Sequence, residues 1–186
     1  MSRASTIKMT AKQFLQLGED PPGVRLELVD GEVAVSPSPT PEHSYTVLTL
    51  ASLLKNHAEE HEVGEVLSDV DTLFGEHDVR RPDIFFFKKN RRHLIGEQAI
   101  EGPPDLCVEV VSPTSGRTDR KDKFNLYAAA KVKYYWIVDP KQRTIEAYML
   151  KGRKYVGRVR GSGSDVVKLP PFRKLELPLG KLWRRK

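Results

Sequence analysis

The sequence predicts an α/β (α+β) fold, a mixed β-sheet with helices packed on it and a hairpin added near each end. Three observations carry that reading. Apolar, β-rich stretches at 65–74, 79–87, 105–112 and 134–138 are of strand length and are separated by turn residues. One long stretch, 42–61, places Val47, Leu48, Leu50, Ala51 and Leu54 on one broad helical face. Two tight-turn signals, Asp30-Gly31 and Lys151-Gly152, each divide a pair of β-rich runs.

Taken in order, residues 10–17 (TAKQFLQL) form a short helix with Thr10 as its cap. Residues 24–36 form a hairpin, because a tight turn needs the positive φ that Asp-Gly tolerates. The connector SPSPTP (36–41) is stiff, and Pro41 suits the first turn of the long helix. Gly64 is expected to stop that helix. The strands 65–74 and 79–87 then meet at a polar turn, Gly75-Glu76-His77-Asp78, and a basic loop (KKNRRH, 88–93) follows. Pro103-Pro104 opens the strand 105–112. A loop rich in Ser, Thr and Gly (112–118) leads to a second helix, 119–131. The strand 134–138 ends at Asp139-Pro140, and 143–150 with 153–160 makes the closing hairpin. A loop at 161–165 precedes an apolar, alternating tail, 175–182, that ends in Trp183-Arg184-Arg185-Lys186.

Composition sets bounds on function. A chain of 186 residues with 39% hydrophobic content is expected to form one domain, 1–186, around a real core. A formal net charge of +6 favours a polyanionic partner. The single cysteine, Cys107, forbids an internal disulfide and points to a reducing compartment. Residues 1–17 lack a signal-peptide core and no apolar run would span a bilayer, so the expectation is a cytoplasmic protein with no membrane partner.

The candidate chemistry lies in Asp83, Glu109 and Lys123. In the strand 105–112, Cys107, Glu109 and Val111 share one face, and Leu106, Val108 and Val110 share the other. Glu109 is thus a carboxylate inside an apolar strand, where an unpaired charge is costly. Asp83 stands likewise between Pro82 and the run Ile84-Phe85-Phe86-Phe87. Two acids 26 residues apart, on strands expected to be neighbours, can hold one hard cation between them. Lys123 beside them can serve a water or phosphate that the cation binds, which is a minimal kit for metal-assisted phosphodiester cleavage. The competing account is a buried ion cluster in which Glu109 pairs with Lys123 or Arg81.

The spacing of Pro82-Asp83 and Glu109 resembles the PD-(D/E)XK, or restriction endonuclease-like, nuclease superfamily. That pattern places a lysine two residues after the second acid, where this chain has Val111. In several branches the lysine has moved to the following helix, which makes Lys123 the candidate and Lys121 a weaker one. A closer resemblance, over residues 10–183, is to the Uma-type restriction endonuclease family. It rests on Leu26-Glu27-Leu28-Val29-Asp30-Gly31-Glu32, Ser36-Pro37-Ser38-Pro39 and His43, then Arg81-Pro82-Asp83 and Pro104-Asp105-Leu106. It continues in Glu109-Val110-Val111-Ser112-Pro113, Asp122-Lys123 with Tyr127, and Tyr135-Trp136-Ile137-Val138-Asp139-Pro140.

The resemblance implies a restriction endonuclease-like core and a set of roles. Asp83 and Glu109 would ligate Mg²⁺, with Mn²⁺ as a substitute, and the carbonyl of Val110 could reach the same ion. Lys123 would orient the attacking water or neutralise phosphoryl charge. Glu27, the acid of the opening motif, would complete the metal shell or hold Lys123, the alternative being an ordinary hairpin charge. His43 would meet phosphate or water, or lie at the surface as a helix-terminal residue. Tyr127 is expected to pack under the lysine stem. Trp136, Trp183 and Cys107 are expected in the core.

The partner implied is DNA in duplex form. Its backbone would be tracked by the basic groups 88–92, 117–121, 151–160 and 184–186. A homodimer is expected, because a double-strand cut commonly needs two active sites. Two other readings compete with the nuclease: a nucleic-acid-binding module that has lost catalysis, and a structural protein stabilised by an Asp-Glu-Lys cluster.

Overall fold

The computed structural model describes residues 8–36, 38–112 and 119–184. It opens with helix α1 (Ala11–Leu15), where Thr10 Oγ1 accepts from the Gln13 amide and the Gln13 side chain accepts from the Thr10 amide, a reciprocal cap. This short helix buries Ala11 and Phe14 against Leu28 and Val79. Strands β1 (Arg25–Val29) and β2 (Glu32–Ser36) form the expected hairpin, with positive φ at both Asp30 and Gly31. Helix α2 (Pro41–Glu60) starts at Thr40, whose side chain accepts from the His43 amide. Its inward ladder is Thr46, Leu50, Leu54 and Ala58, spaced four apart, whereas Leu48 is 72% exposed and not part of the buried face.

Gly64 does not stop α2. The helix ends at Glu60, the chain turns through Glu62 at positive φ, and Gly64 opens strand β3 (Gly64–Leu67). A Cβ at Gly64 would lie 2.0 Å from the carbonyl oxygen of Phe87, so glycine is what lets β3 approach its neighbour.

The two strands expected at 65–74 and 79–87 are four. They are β3, β4 (Thr72–Gly75), β5 (Asp78–Arg80) and β6 (Ile84–Lys88). Asp69 at positive φ and Pro82, which has no amide to donate, interrupt the ladder and divide one long hairpin between two sheets. The outer halves join the first hairpin in a four-stranded sheet, β2-β1-β5-β4. The inner halves enter a six-stranded mixed sheet of order β10-β9-β8-β7-β6-β3.

In that larger sheet β7 (Leu106–Val110) runs antiparallel to β6 and parallel to β8 (Tyr134–Asp139). A parallel neighbour requires a crossover. It contains a π-helical turn (Asp119–Lys123) continuing into helix α3 (Phe124–Ala129), rather than one regular helix over 119–131. Strands β9 (Thr144–Lys151) and β10 (Lys154–Ser162) close the edge as the expected hairpin, β10 extending into the loop expected at 161–165. On one face Leu106, Val108 and Val110 meet Leu50 and Leu54 of α2, together with the tail residues Leu177, Leu179, Leu182 and Trp183. On the other face Cys107 and Val111 meet Tyr127, Ala128 and Tyr135. The short pair β11 (Val166–Val167) and β12 (Leu177–Pro178) ties the tail down. Among the described residues no helix is long and apolar enough to cross a membrane.

Candidate active site

Strand register brings Asp83 and Glu109 to the same end of the sheet. One residue beyond the pairing Ile84↔Val108, Asp83 stands just before β6, level with Glu109, whose side chain is on the face of β7 that looks toward α3. Asp83 Oδ2 accepts from the amide of Val110 at 2.8 Å, which fixes the loop before β6 to the strand beside it. The same oxygen lies 3.1 Å from His43 Nε2, brought in by the first turn of α2. Oδ1 takes no hydrogen bond among the described residues.

Glu109 is 2% exposed and is held through both oxygens. Lys123 Nζ donates to Oε2 at 2.7 Å, and the Tyr127 hydroxyl donates to Oε1 at 2.6 Å. Lys123 and Tyr127 are four residues apart and span the junction of the π-helical turn with α3, so one helical face presents both donors. Tyr127 thus does more than pack under the lysine. Val111, at the position where the superfamily pattern puts lysine, is a buried core residue, and Lys123 supplies the amine from the helix.

Glu27 occupies a different tier. Its Oε1 accepts from the Arg81 amide at 3.0 Å, and its Oε2 lies 3.9 Å from the Arg80 guanidinium. The Arg81 side chain is clamped by Asp71 at 2.6 Å and by Asp20. Those partners, the hydrogen bond to Asp71 first, drive its pKa up and keep it charged. Arg81 therefore braces the segment that carries Asp83 and is engaged with Asp20 and Asp71.

The electrostatics follow from this packing. Burial pushes the Asp83 carboxyl up, but the hydrogen bond and charge of His43, the charge of Lys123 and the Val110 amide outweigh it. The net position is below the usual aspartate range, so Asp83 is anionic at neutral pH. Burial and then the Glu109 charge push the Tyr127 hydroxyl well above its ordinary value, so it remains a proton donor. The Cys107 thiol is raised by the same two causes.

Among the described residues no group of three or more His, Cys, Asp and Glu side chains converges as a metal cage. A pair of hard carboxylates with spare lone pairs instead fits a cation such as Mg²⁺, which keeps several waters and needs only one or two carboxylates.

A family model described as "Uma2: Putative restriction endonuclease" matches residues 11–180. The chain belongs to the Uma2 family. No curated protein matches it. A solved structure described as a putative nuclease belonging to DUF820, from Anabaena variabilis ATCC 29413, is 21% identical. It superposes with a TM-score of 0.77 over 94% of this chain and 97% of that one. The Uma2 chain therefore shares its fold with that protein, and its family is one described by the words "putative restriction endonuclease".

Two participants escaped sequence reasoning. His43 was expected to meet phosphate or water or, in the favoured account, to lie at the surface; its side chain is instead 13% exposed against Asp83, and its buried Nδ1 has no hydrogen bond among the described residues. The hydroxyl of Tyr127 was read only as packing. The i, i+4 spacing of Lys123 and Tyr127 was the available signal for the latter. For His43 it was the short distance from the Thr40-Pro41 helix start. Of the basic groups, 88–92 lies at the end of β6 and in a 3₁₀ turn (Lys89–Leu94), and 151–160 lies on the β9–β10 hairpin. Pro37 of the connector, residues 113–118 of the expected loop with Arg117, and Arg185 and Lys186 lie outside the described residues.

Proposed function

We propose that the protein is a metal-dependent endonuclease that cleaves duplex DNA in the cytoplasm, with the whole chain working as one nuclease domain. One observation carries the reading. Asp83 Oδ2 accepts from the amide of Val110, the residue after Glu109, and Lys123 Nζ is 2.7 Å from the Glu109 carboxylate. Asp83 and Glu109 would hold Mg²⁺, or Mn²⁺ in its place, with the Val110 carbonyl as a further oxygen ligand. When bound, the ion supplies an acidified water and polarises the phosphoryl group. Lys123 would stabilise the charge that develops on the phosphoryl oxygens or orient the nucleophile. Tyr127 and His43 are positioning residues, the first fixing the Glu109 carboxylate and the second that of Asp83. Glu27 would act one step further out, through the Arg81 amide.

The test is plasmid DNA titrated with Mg²⁺ or Mn²⁺, wild type beside Glu109→Ala. Relaxed or linear product from wild type alone is expected, with a loss of at least ~100-fold in the variant. Equal cleavage by both would remove Glu109 from the site.

A second reading, a DNA-binding module without catalysis, draws on Val111 at the pattern's lysine position. A salt-sensitive, metal-independent gel shift with no product would favour it. We also propose a homodimer in solution. Light scattering that returns a monomeric mass at working concentration would refute that part.

A further inference from the structure

The far end of β6 carries a second constellation. The last turns of α2 bring His57 and His61 to one side, their ring centroids 4.2 Å apart. The residue before β3, Val63, adds to it, and the end of β6 supplies Phe86 and Lys88. The opposite wall is the tail segment Pro171-Phe172-Arg173-Lys174. That wall is tied down, because Trp136 Nε1 donates to the Pro170 carbonyl at 2.8 Å and the Leu175 amide to the Phe172 carbonyl at 3.0 Å. Together they enclose a cleft of about 640 Å³.

Its floor is aromatic. The Phe172 ring lies 4.8 Å from Phe86 and 5.8 Å, edge-on, from His57. Its rim is cationic. Lys88, Arg173 and Lys174 make no ion pair among the described residues, while Lys89 is answered by Glu62 at 3.2 Å. A patch for a simple anion has no use for an aromatic floor, and a pocket for a neutral apolar molecule has no use for three unanswered cations. The combination suits a planar ring joined to an anion, in a volume of ordinary ligand-site size.

We propose that this cleft binds a nucleoside phosphate, its base against the half-buried His57 ring above the nearly buried rings of Phe86 and Phe172 and its phosphate against Arg173, Lys174 and Lys88. The site is separate from the carboxylates. Phe86 points to the α2 face of the sheet, whereas Glu109 points to the α3 face. The five residue-to-residue steps from Asp83 to Lys88 span roughly 17 Å of strand. The proposal does not depend on the nuclease reading.

The experiment is isothermal titration in a metal-free buffer with four probes: adenosine 5′-monophosphate, adenosine, inorganic phosphate and a short 5′-phosphorylated oligodeoxynucleotide. Saturable 1:1 binding of the monophosphate is expected, with adenosine and inorganic phosphate each at least tenfold weaker. The exposed double substitution Arg173→Glu/Lys174→Glu should weaken it at least tenfold. Val63→Trp, which fills the cleft without changing charge, should do the same, both variants keeping the wild-type melting temperature. A tighter oligonucleotide assigns the ligand to strand ends and a tighter mononucleotide to the free pool; either upholds the site if the double variant weakens it, and oligonucleotide binding that the variant leaves intact belongs to another surface and counts against it. Inorganic phosphate binding as well as the monophosphate, full affinity in the double variant, or no saturation at millimolar ligand would overturn it.

Discussion

The two ends of β6 handle charge in opposite ways. At the Asp83 end each buried carboxylate is answered from within the chain, Asp83 by His43 and the Val110 amide, Glu109 by Lys123 and Tyr127. At the Lys88 end three cations stand around an aromatic floor with no ion pair among the described residues. Desolvation explains the contrast. A charge in a dry setting must be compensated in the folded chain itself, whereas a charge at a solvated rim costs little and remains free for a ligand. The first end is a prearranged cluster whose integrity depends on every member. The second has members that are individually dispensable to the fold.

The sharpest way to break this comparison is to remove one cation from each end. Lys123→Ala leaves Glu109 buried without its ammonium partner, and a loss of about 3 kcal/mol is expected in chemical denaturation. Arg173→Ala removes an exposed side chain and should stay within about 0.5 kcal/mol of wild type. Similar losses from both substitutions would mean that the two ends do not differ in the way described.

A smaller effect separates charge from hydrogen bonding within the first end. Tyr127→Phe deletes only the hydroxyl that donates to Glu109 Oε1, and the ring still packs among Phe74 and Tyr135. A donor to a buried carboxylate contributes about 1.5–3 kcal/mol, so a loss in the lower half of that range is expected while Lys123 stays in place. Cleavage should fall with it, because the carboxylate gains rotational freedom. A variant as stable as wild type would show that the Tyr127 hydroxyl contributes nothing to holding Glu109.

What was legible in the chain follows the same division. Local signals carried far: Asp30-Gly31 gave the hairpin, Thr40-Pro41 the start of α2, and the alternation around Glu109 placed that carboxylate on the correct face of β7. That Asp83 and Glu109 each need partners was legible, because two isolated acids in apolar strands each demand compensation. The break of one hairpin into two sheets was not, since Pro82 reads equally well as a strand start. Nor was the role of His43, which depends on the angle at which α2 crosses the end of β6. The aromatic-basic cleft was invisible for a similar reason. Its walls come from α2, β6 and the tail, the last more than 80 residues beyond β6 along the chain, and only packing brings Phe172 onto Phe86.

The subtlest test concerns acid. The Asp83 carboxyl lies below its unfolded value of about 3.9, so near pH 4 the unfolded chain binds more protons than the native one. Its stabilising contribution is therefore complete above that pH and is lost as pH falls through the native pKa. His43→Gln keeps a hydrogen-bond donor but removes the charge that helps to offset burial, which is the strongest influence on this group and acts upward. The variant's carboxyl should move up, and its acid unfolding, followed by circular dichroism in chelator-treated buffer, should begin at higher pH than that of wild type. The same substitution should leave the nucleotide affinity of the far cleft unchanged, because His43 takes no part in lining it. Coincident acid transitions in the two proteins would mean that Lys123 and the Val110 amide hold Asp83 without help from the histidine.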